Sequence, residues 1–441
     1  MVMSLEFYKE KNLKKVEAEG IKLEIAKDWE VVKLKKICKK IVDGTHKTPK
    51  YVEKGIRFIS TQNLVPFREY FDFSQYCKYI SPEEHLELTK RCKPEKGDIL
   101  ISKCGTIGRS QLIRVDFDFS IFVGLALLKL KKDIVYPEYL EQLLNFEPIK
   151  KYMETSSPGA TRRTLTLKAI SELKIPLPPL PEQQKIAQVL TSIDKAIEEV
   201  DKAIAKTERI KKGLMQELLT KGIGHKEFKD REIGRIPEEW EVVRLEEITN
   251  KIIDSPHKIP KKSDQGVPFV SVNYMIKFPD RNFYIDENKN GLEYISDDDL
   301  QDFVKRFNPE KGDILYSKWG TPGVAKLINT DRKFIGSCSV TLIKPRVDRI
   351  DSLFLVYTLN SNIIRRQIVP HSKTSTRTEI HIGHIKKIKI PLPPLKEQKK
   401  IAEILSKWDE VIELKKSKKE KLERIKKKVM ELLLTGKIRV R

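Results

Sequence analysis

Arginine and threonine side chains in two polar loops are the residues best suited to recognition chemistry. The loops at 156–165 and 371–380 contain Thr161, Arg162, Arg163, Thr376 and Arg377. Small, polar and basic residues without periodicity predict exposed loops. The planar guanidinium group of arginine matches a phosphate or the edge of guanine through paired hydrogen bonds. These loops are therefore the strongest candidates for contact with a nucleic acid.

Two further sets of polar residues follow predicted strands. Turns at 41–49 and 252–260 are expected to expose Thr45, His46, Lys47, His257 and Lys258. Short apolar strands end at Thr61, Gln62, Asn63, Ser271 and Asn273. The amide of asparagine or glutamine can pair with adenine through two hydrogen bonds. Each set also has a plainer interpretation, as solvated turns and as turn-forming residues at strand ends.

A third candidate is a repeated segment with a lysine beside a Gly-Thr turn. The segments 94–108 and 309–323 are identical at 12 of 15 positions and place Lys103 and Lys318 after a buried strand. Backbone N–H groups and a lysine in such a turn can hold a phosphate. A purely structural turn is the open alternative, and the order of residues does not match a Walker A loop.

Catalytic motifs are scarce in the sequence. We find no Asn/Asp-Pro-Pro-Tyr/Phe motif of adenine methyltransferases, no glycine-rich cofactor turn and no helicase phosphate loop. A nuclease-like pattern, Pro279-Asp280 followed by Glu287-Asn288-Lys289, has no equivalent in the first half of the chain. His381 and His384 lack a third metal ligand. The sequence therefore favours a chain that is not an enzyme and holds no metal.

The overall charge predicts a polyanionic partner. Lysine and arginine number 86 and aspartate and glutamate 63, so the net charge is 86 − 63 = +23. A heat-adapted composition would raise charges of both signs without this excess of one. No apolar run approaches the ~20 residues needed to span a membrane. Five cysteines without paired spacing indicate a reduced, cytoplasmic setting.

The elements that must position these residues are organised by a repeated proline-helix motif. The stretch 174–190 recurs at 389–405 with an offset of 389 − 174 = 215 and identity at 13 of 17 positions. Pro178 and Pro179 keep the lead-in extended, and Pro181 and Glu182 suit a helix start.

Apolar residues then recur every seven positions along the first helix. Ile186, Ile193, Val200, Thr207 and Leu214 form one position of the seam, and Leu190, Ile197, Ile204, Lys211 and Leu218 form the other. In the second helix Lys415 and Lys419 interrupt the pattern. A seam sustained over several heptads predicts packing against another helix along its length. The simplest partner for one long helix is the other, in antiparallel orientation.

The whole arrangement resembles the specificity subunit of type I restriction-modification systems. The resemblance is carried by the IPLPPLPEQQKIAQVL motif, its second copy, and GRIPEEWEVVRL at the start of the second domain. The chain departs from the family pattern before Trp29, where the Ile-Pro found at Ile236-Pro237 is missing.

The resemblance implies an α+β fold. Two mixed α/β target-recognition domains would be joined by two long antiparallel helices in a coiled coil, with an internal repeat of approximate two-fold symmetry. The expected division is a lead at 1–20 that is helical or frayed, domains at 21–176 and 227–391, and long helices at 177–226 and 392–441. The alternating segments 29–34 and 240–245 are each expected to form the first strand of their domain's sheet, with Trp29 and Trp240 in the domain cores.

The implied function is recognition of a bipartite site in double-stranded DNA, with an unread spacer whose length depends on the helices. The family also implies two modification (methyltransferase) subunits and restriction (motor-nuclease) subunits as partners, and no membrane. S-adenosylmethionine, ATP and magnesium would be used on those subunits, with no cofactor on this chain. Candidate contacts for the partners are Glu182, Gln183, Glu397 and Gln398, although helix capping explains these residues equally well. A basic coiled-coil scaffold for acidic proteins and a stand-alone nuclease are the alternative functions.

Overall fold

Short strands rich in valine, isoleucine and leucine build most of the structure, because such side chains pack well on a pleated surface. The computed structural model describes residues 6–18, 21–156, 163–256, 260–278, 281–296, 303–369 and 379–440. The chain forms two units, 1–201 with 417–441 and 202–416. Both boundaries fall inside the long helices, so each unit contains one domain and half of each helix.

The first unit contains thirteen strands among its described residues. They are β1 (Phe7–Lys9), β2 (Leu13–Ala18), β3 (Ile21–Ala26), β4 (Glu30–Lys33), β5 (Cys38–Asp43), β6 (Ile56–Ile59), β7 (Lys78–Ile80), β8 (Ile99–Ser102), β9 (Ser110–Leu112), β10 (Phe119–Ile121), β11 (Leu125–Leu130), β12 (Lys174–Leu177) and, from the end of the chain, β26 (Ile438–Val440). A four-stranded antiparallel sheet has the order β5-β11-β8-β9, and a mixed sheet has the order β10-β6-β7. Strands β1 and β26, β2 and β3, and β4 and β12 form separate antiparallel pairs.

Six α-helices begin among the described residues of this unit: α1 (Leu34–Ile37), α2 (Pro82–Thr89), α3 (Pro137–Leu144), α4 (Glu147–Thr155), α5 (Leu167–Glu172) and the long α6 (Leu180–Lys221), which continues into the second unit. The amphipathic helix α3 buries Tyr139, Leu140, Leu143 and Leu144 against the four-stranded sheet. The same core includes Ile186 of α6, so the start of the long helix packs directly on the first domain.

The second unit repeats the plan. Its strands are β13 (Phe228–Arg231), β14 (Gly234–Pro237), β15 (Glu241–Arg244), β16 (Thr249–Asp254), β17 (Lys262–Ser263), β18 (Val267–Val270), β19 (Asn282–Phe283), β20 (Glu293–Ile295), β21 (Ile314–Ser317), β22 (Ala325–Ile328), β23 (Ile335–Gly336), β24 (Val340–Pro345) and β25 (Lys389–Leu392). The larger sheet has the order β16-β24-β21-β22-β19 and the smaller β17-β20-β18-β23. Strands β13 and β14, and β15 and β25, form antiparallel pairs.

Its described helices are α7 (Val272–Met275), α8 (Ser352–Leu359), α9 (Asn362–Ile368), α10 (Ile382–Lys386) and the long α11 (Leu395–Leu433), which continues into the first unit. Helix α8 occupies the place of α3 and is buried along most of its length. Ile401 and Leu405 of α11 join the core of the second domain. The start of each long helix is therefore fastened to the domain that precedes it.

The two long helices pair antiparallel within each unit, as the heptad pattern predicted. In the first unit Asp194 lies 2.5 Å from Lys426, and Asp201 lies 2.7 Å from Lys419. Residue numbers therefore rise along one helix as they fall along the other, which shows that the helices are antiparallel. The lysine that interrupts the apolar seam at position 419 is accounted for by this ion pair. The predicted fold class is confirmed.

Two expectations about the start of each domain need correction. The lead at 1–20 was expected to be helical or frayed, but its described residues form β1 and β2, with β1 paired to β26. Within the segment 29–34, residues 30–33 do form a strand, yet this strand, β4, pairs with the proline lead-in β12 and stays outside the main sheet. The tryptophan expectation is confirmed, because Trp29 and Trp240 are each 1% exposed.

Candidate nucleic-acid interface

Several loops of the first domain converge where β5, β8, β6 and β10 end and β11 begins. We call this the first loop edge and define it as residues 44–47, 60–63, 103–107, 122–124 and 163–165. The register that pairs Ala126 with Asp43 and Leu125 with Ser102 brings the strand ends of the four-stranded sheet together. The strands therefore place polar loops that are distant in sequence on one side of the domain.

Close backbone contacts hold these loops against each other. The N–H of Val123 donates to the carbonyl of Thr45 at 3.0 Å. A Cβ added to Gly124 would lie 2.9 Å from Cys104 Sγ and 3.2 Å from Thr61 Cγ2. With contacts this short, a side chain at position 124 would require Cys104 and Thr61 to shift. The predicted residues Thr45 and Thr61 are therefore neighbours through the loop that contains Gly124.

Exposed polar side chains occupy the surface of this edge. His46, Lys47 and Gln62 are exposed, and Thr45 and Thr61 are half-buried. Thr45 Oγ1 accepts from the N–H of Lys47 at 3.2 Å, which shapes the turn. These five residues have polar groups at the surface of this edge, and their contact with DNA stays a prediction.

Arg163 lies beside the Gly-Thr turn. A cleft of about 660 Å³ is lined by Cys104, Gly105, Thr106, Ile107, Glu154, Arg163 and Thr164. The N–H of Leu165 donates to the carbonyl of Lys103 at 2.8 Å, so the arginine loop is fastened to the turn. Arg163 is exposed at this cleft. The structure thus joins two candidate sites that the sequence could only consider separately.

Asn63 has a structural role that replaces the expected base contact. It is fully buried. Its Nδ2 donates to the carbonyls of Asp72 at 2.7 Å and Tyr76 at 2.6 Å, and its Oδ1 accepts from the N–H of Ser60 at 2.9 Å. With these hydrogen bonds made inside the domain, the amide organises the loop that displays Gln62.

Lys103 and Lys318 also differ from expectation, because both are buried. Lys103 Nζ lies 2.6 Å from Asp43 Oδ2, and Lys318 Nζ lies 2.8 Å from Asp254 Oδ2. Burial alone would raise the pKa of Asp43, but Lys103, Arg91 and His46 together hold it below its ordinary value. An ammonium group committed to a buried carboxylate is not presented to a phosphate. The expected phosphate contact at these lysines is therefore corrected to an internal ion pair.

The identity of the two Gly-Thr segments also has a structural cause. Ser102 is fully buried, donates from Oγ to the carbonyl of Thr106 at 2.5 Å and accepts from the N–H of Arg109 at 2.9 Å. Ser317 makes the corresponding bonds to Thr321 at 2.6 Å and Val324 at 2.8 Å. Gly105 and Gly320 adopt φ of 69° and 72°, which glycine tolerates without strain. Thr106 lines the cleft and is a candidate that sequence reasoning missed. The Gly-Thr turn that contains it was recognised in the sequence and could have indicated it.

The second domain has an equivalent loop edge, defined as residues 254–256, 270–273, 317–321, 336–339 and 379–380. The N–H of Ser337 donates to the carbonyl of Val270 at 2.8 Å. Ser271 caps α7 by accepting from the N–H of Tyr274 at 3.3 Å, and Asn273 is exposed. Six predicted residues lie outside the described residues: Thr161, Arg162, His257, Lys258, Thr376 and Arg377.

Of the four residues expected to contact partner subunits, Glu182, Gln183 and Gln398 are buried at the helix starts and Glu397 is half-buried. Glu182 Oε2 accepts from Trp29 Nε1 at 3.2 Å and from Arg439 Nη2 at 2.7 Å. Glu397 Oε2 accepts from Trp240 Nε1 at 3.1 Å, and Glu397 Oε1 lies 2.9 Å from His225 Nε2. Both carboxylates fasten a helix start to a core tryptophan.

Gln183 and Gln398 fasten the same helix starts to the domain backbone. Gln183 accepts from the N–H of Tyr136 at 2.8 Å and donates to Ile134 and Pro178 carbonyls. Gln398 makes the matching bonds to Asp351, at 2.8 Å, Arg349 and Pro393. These internal hydrogen bonds at the helix starts favour the capping interpretation over a contact with partner subunits.

Across the part of the chain that the structure describes, no group of three or more histidine, cysteine or acidic residues could hold a metal ion. Within the same residues, no helix combines the length and apolar character that membrane crossing needs. Glu287 of the nuclease-like pattern pairs with Arg332, while Pro279 and Asp280 lie outside the described ranges.

The repeated loop edge, followed each time by a long helix, corresponds to a known family model. The model for the type I restriction modification DNA specificity domain matches residues 26–208 and again 237–424. The chain belongs to this family. Each matched segment spans one domain and most of the helix that follows it. The family therefore describes the repeating unit of this chain.

Relatives of this specificity family cover the full length. The chain is 33% identical over 100% of both chains to a Methanocaldococcus jannaschii protein provisionally named the type I restriction enzyme MjaX specificity subunit. It is 29% identical to the MjaVIII specificity subunit of the same organism, over 100% of this chain and 99% of that one. The type I restriction-modification S subunit from M. genitalium shares the fold, with a TM-score of 0.53, 14% identity and coverage of 92% and 96%.

Proposed function

We propose that this chain reads a bipartite sequence in double-stranded DNA, one part with each domain. The proposal is carried by the first loop edge, where exposed Lys47, Gln62 and Arg163 share one side of a domain. Membership of the specificity family and the net charge of +23 support it. Basic side chains supply affinity by releasing counterions from the phosphates, and amide and guanidinium groups discriminate between bases.

Arg163→Ala tests the first loop edge. We expect weaker binding to duplex DNA and a salt dependence, plotted as log K against log salt, that is shallower by about 1, as for the loss of one phosphate contact. If Arg163 instead contacts guanine, preference at one base pair will relax. Binding is measured by fluorescence anisotropy over a salt series. Lys132→Ala is the matched control, because Lys132 is exposed near Gly97 at the other end of the sheet. Unchanged binding by Arg163→Ala would contradict the placement of DNA at this edge.

The chain would act without catalysing a reaction of its own, in the cytoplasm. Two modification subunits carrying S-adenosylmethionine, and restriction subunits using ATP and magnesium, would supply the chemistry. The support for two identical partners is the duplication within this chain. A repeated surface on one chain offers two equivalent contacts without requiring a second copy.

Equivalent grooves support this partner proposal. In the first unit a groove of about 550 Å³ includes Asn145, Glu423, Lys426, Lys427, Met430 and Glu431. In the second unit a groove of about 330 Å³ includes Asn360, Glu208, Lys211, Lys212, Met215 and Gln216. Each position of the first set differs from its counterpart by 215, for example 427 − 212 = 215. These grooves replace the buried helix starts as candidate contacts for the modification subunits.

Charge reversal at the exposed groove lysines tests the partner surface. Lys212→Glu and Lys427→Glu are each expected to weaken one modification subunit about tenfold or more, because reversal places like charges together. Each single variant should bind one subunit under conditions where the unaltered chain binds two, and the double variant none. Complex mass by light scattering gives the count. Lys206→Glu and Lys421→Glu, exposed on the same helices outside the grooves, should retain two. Two subunits on the double variant would place the contact elsewhere.

A further inference from the structure

Each domain contains a buried lysine-aspartate pair at its loop edge. Lys103 and Asp43 are 6% and 4% exposed, and Lys318 and Asp254 are 2% and 8% exposed. The lysines differ in number by 318 − 103 = 215 and the aspartates by 254 − 43 = 211. Both pairs thus occupy corresponding places in the repeat, although the two residues directly after each aspartate, Gly44-Thr45 and Ser255-Pro256, differ between the domains.

The pair in the first domain connects strands that are not neighbours. Asp43 ends β5 and Lys103 follows β8, while β11 lies between these strands in the sheet. The ion pair therefore crosses the start of β11. It holds the turn at 44–47 at a set distance from the turn at 103–107.

The backbone of the same lysine connects two more loops. Lys103 N–H donates to the carbonyl of Gly124 at 2.7 Å, and its carbonyl accepts from the N–H of Leu165 at 2.8 Å. Through its side chain and backbone, Lys103 therefore connects four segments of the first loop edge. They are the turn at 44–47, the Gly-Thr turn at 103–107, the loop at 122–124 and the loop at 163–165. A displacement of Lys103 would move all of them relative to each other.

Lys318 makes the same connections in the second domain. Its N–H donates to the carbonyl of Ser339 at 3.0 Å, its carbonyl accepts from the N–H of Ile380 at 3.0 Å, and its ammonium pairs with Asp254. Asp254 also accepts from Thr341 Oγ1 at 2.9 Å. The arrangement is thus built twice, around a Gly-Thr turn that both domains share and around loops that differ, such as 122–124 and 337–339.

Stability alone does not account for these pairs. Taking two charges out of water is costly, and apolar residues of similar volume are often as stable or more so. What an ion pair adds is a defined geometry between the segments it joins. Recognition groups must be held within about 0.5 Å of their productive positions to discriminate.

We propose that Asp43–Lys103 and Asp254–Lys318 are positioning pairs that hold the loops of each domain in the arrangement required for base discrimination. The proposal rests on the proposed DNA-reading function. Neither lysine contacts DNA, since both are buried. Each pair acts on the part of the DNA site that its own domain reads.

The test uses neutral, similarly sized replacements in the full chain: Asp43→Asn/Lys103→Met for the first domain and Asp254→Asn/Lys318→Met for the second. The same replacements at the opposite end of the same sheet serve as controls. There Lys129 lies 2.9 Å from Asp98, and Lys344 lies 2.8 Å from Asp313. The controls are therefore Asp98→Asn/Lys129→Met and Asp313→Asn/Lys344→Met.

Binding is measured by selecting duplexes from a randomised pool and sequencing them. We expect Asp43→Asn/Lys103→Met to lose discrimination by about tenfold or more at one part of the site and to keep it at the other. The second-domain variant should show the reverse, and both controls should keep both parts. Lys103→Arg retains the charge on a wider, planar head group. It should remain folded and weaken discrimination at the first-domain part alone.

The outcomes distinguish a failure of the positioning role from a failure of the proposed DNA-reading function. An unaltered chain that selects no sequence would overturn the proposed function. If the unaltered chain selects a two-part site and Lys103→Arg and the double variants do so equally well, the positioning role is wrong. Equal losses in the controls, or losses at both parts together, would mean a general structural effect and would overturn it too.

Discussion

Lys426→Met is expected to lower the free energy of unfolding of the first unit by about 3–5 kcal/mol, as for breaking a buried ion pair from one side. Lys426 and Asp194 are 8% and 6% exposed, and Gln142 Nε2 donates to the same carboxylate at 2.5 Å. Without Lys426, the charged carboxylate of Asp194 stays buried, and of these two partners only the neutral amide of Gln142 still donates to it. Urea unfolding followed by circular dichroism measures the change. Lys427→Met, an exposed neighbour, should stay within about 0.5 kcal/mol.

This loss should depend on pH. Burial raises the pKa of Asp194, and Lys426 opposes that rise. Removing Lys426 therefore moves the folded-state pKa further above the unfolded value of about 3.9. A group with a raised folded-state pKa stabilises when protonated, and this contribution is lost as pH rises through that pKa. The difference between Lys426→Met and the unaltered chain should thus shrink from neutral towards acidic pH. A difference that grows on acidification would contradict an uncompensated carboxylate.

Gly436→Ala and Gly222→Ala are expected to destabilise their units by at least about 2 kcal/mol each. Both glycines follow a long helix with positive φ, 69° and 65°, where a side chain costs roughly 1–2 kcal/mol. A Cβ at Gly436 would lie 2.9 Å from the Trp29 ring, and one at Gly222 would lie 2.6 Å from the Trp240 ring. Such overpacking adds about 1–3 kcal/mol. Thermal and urea unfolding measure the sum of the backbone cost and the overpacking cost.

Gly213→Ala is the matched control for the glycine variants. Gly213 lies inside α6, and an added Cβ would meet nothing within 4 Å. Alanine in a helix interior is favoured over glycine by about 0.8–1.0 kcal/mol. This variant should therefore be stabilised. If all three alanine variants change the free energy of unfolding equally, then the close approach of Gly436 and Gly222 to the tryptophan rings does not contribute to stability.

The long helices and the apolar strands were predictable because their signals are local. The heptad seam from Ile186 to Leu218 and the burial of α3 follow from periodicity, which a helix converts directly into a face. Trp29 was expected in a core and lies there. The pairing of β4 with β12 and of β1 with β26 was not predictable, because these partners are separated by most of a domain or most of the chain. Pairing over such distances leaves no mark in a short window.

The candidate site divides in the same way. Thr45, Gln62 and Arg163 were chosen for side-chain chemistry and lie in loops that the structure brings together. Lys103 and Asn63 were chosen on the same grounds, yet both serve the interior of the domain. Residue type indicates what a side chain can bind. Whether it faces solvent depends on neighbours such as Asp43 and Tyr76.

By itself the sequence determined the duplicated architecture, the antiparallel helix pair and the excess of positive charge, because repeats, periodicity and composition are properties of the chain. The tertiary structure alone decided which polar groups are free to meet DNA. The physical reason is that a charge is costly to bury unless it is paired. Partners for Lys103, Lys318, Glu182 and Glu397 are supplied by residues that only folding brings within hydrogen-bonding distance.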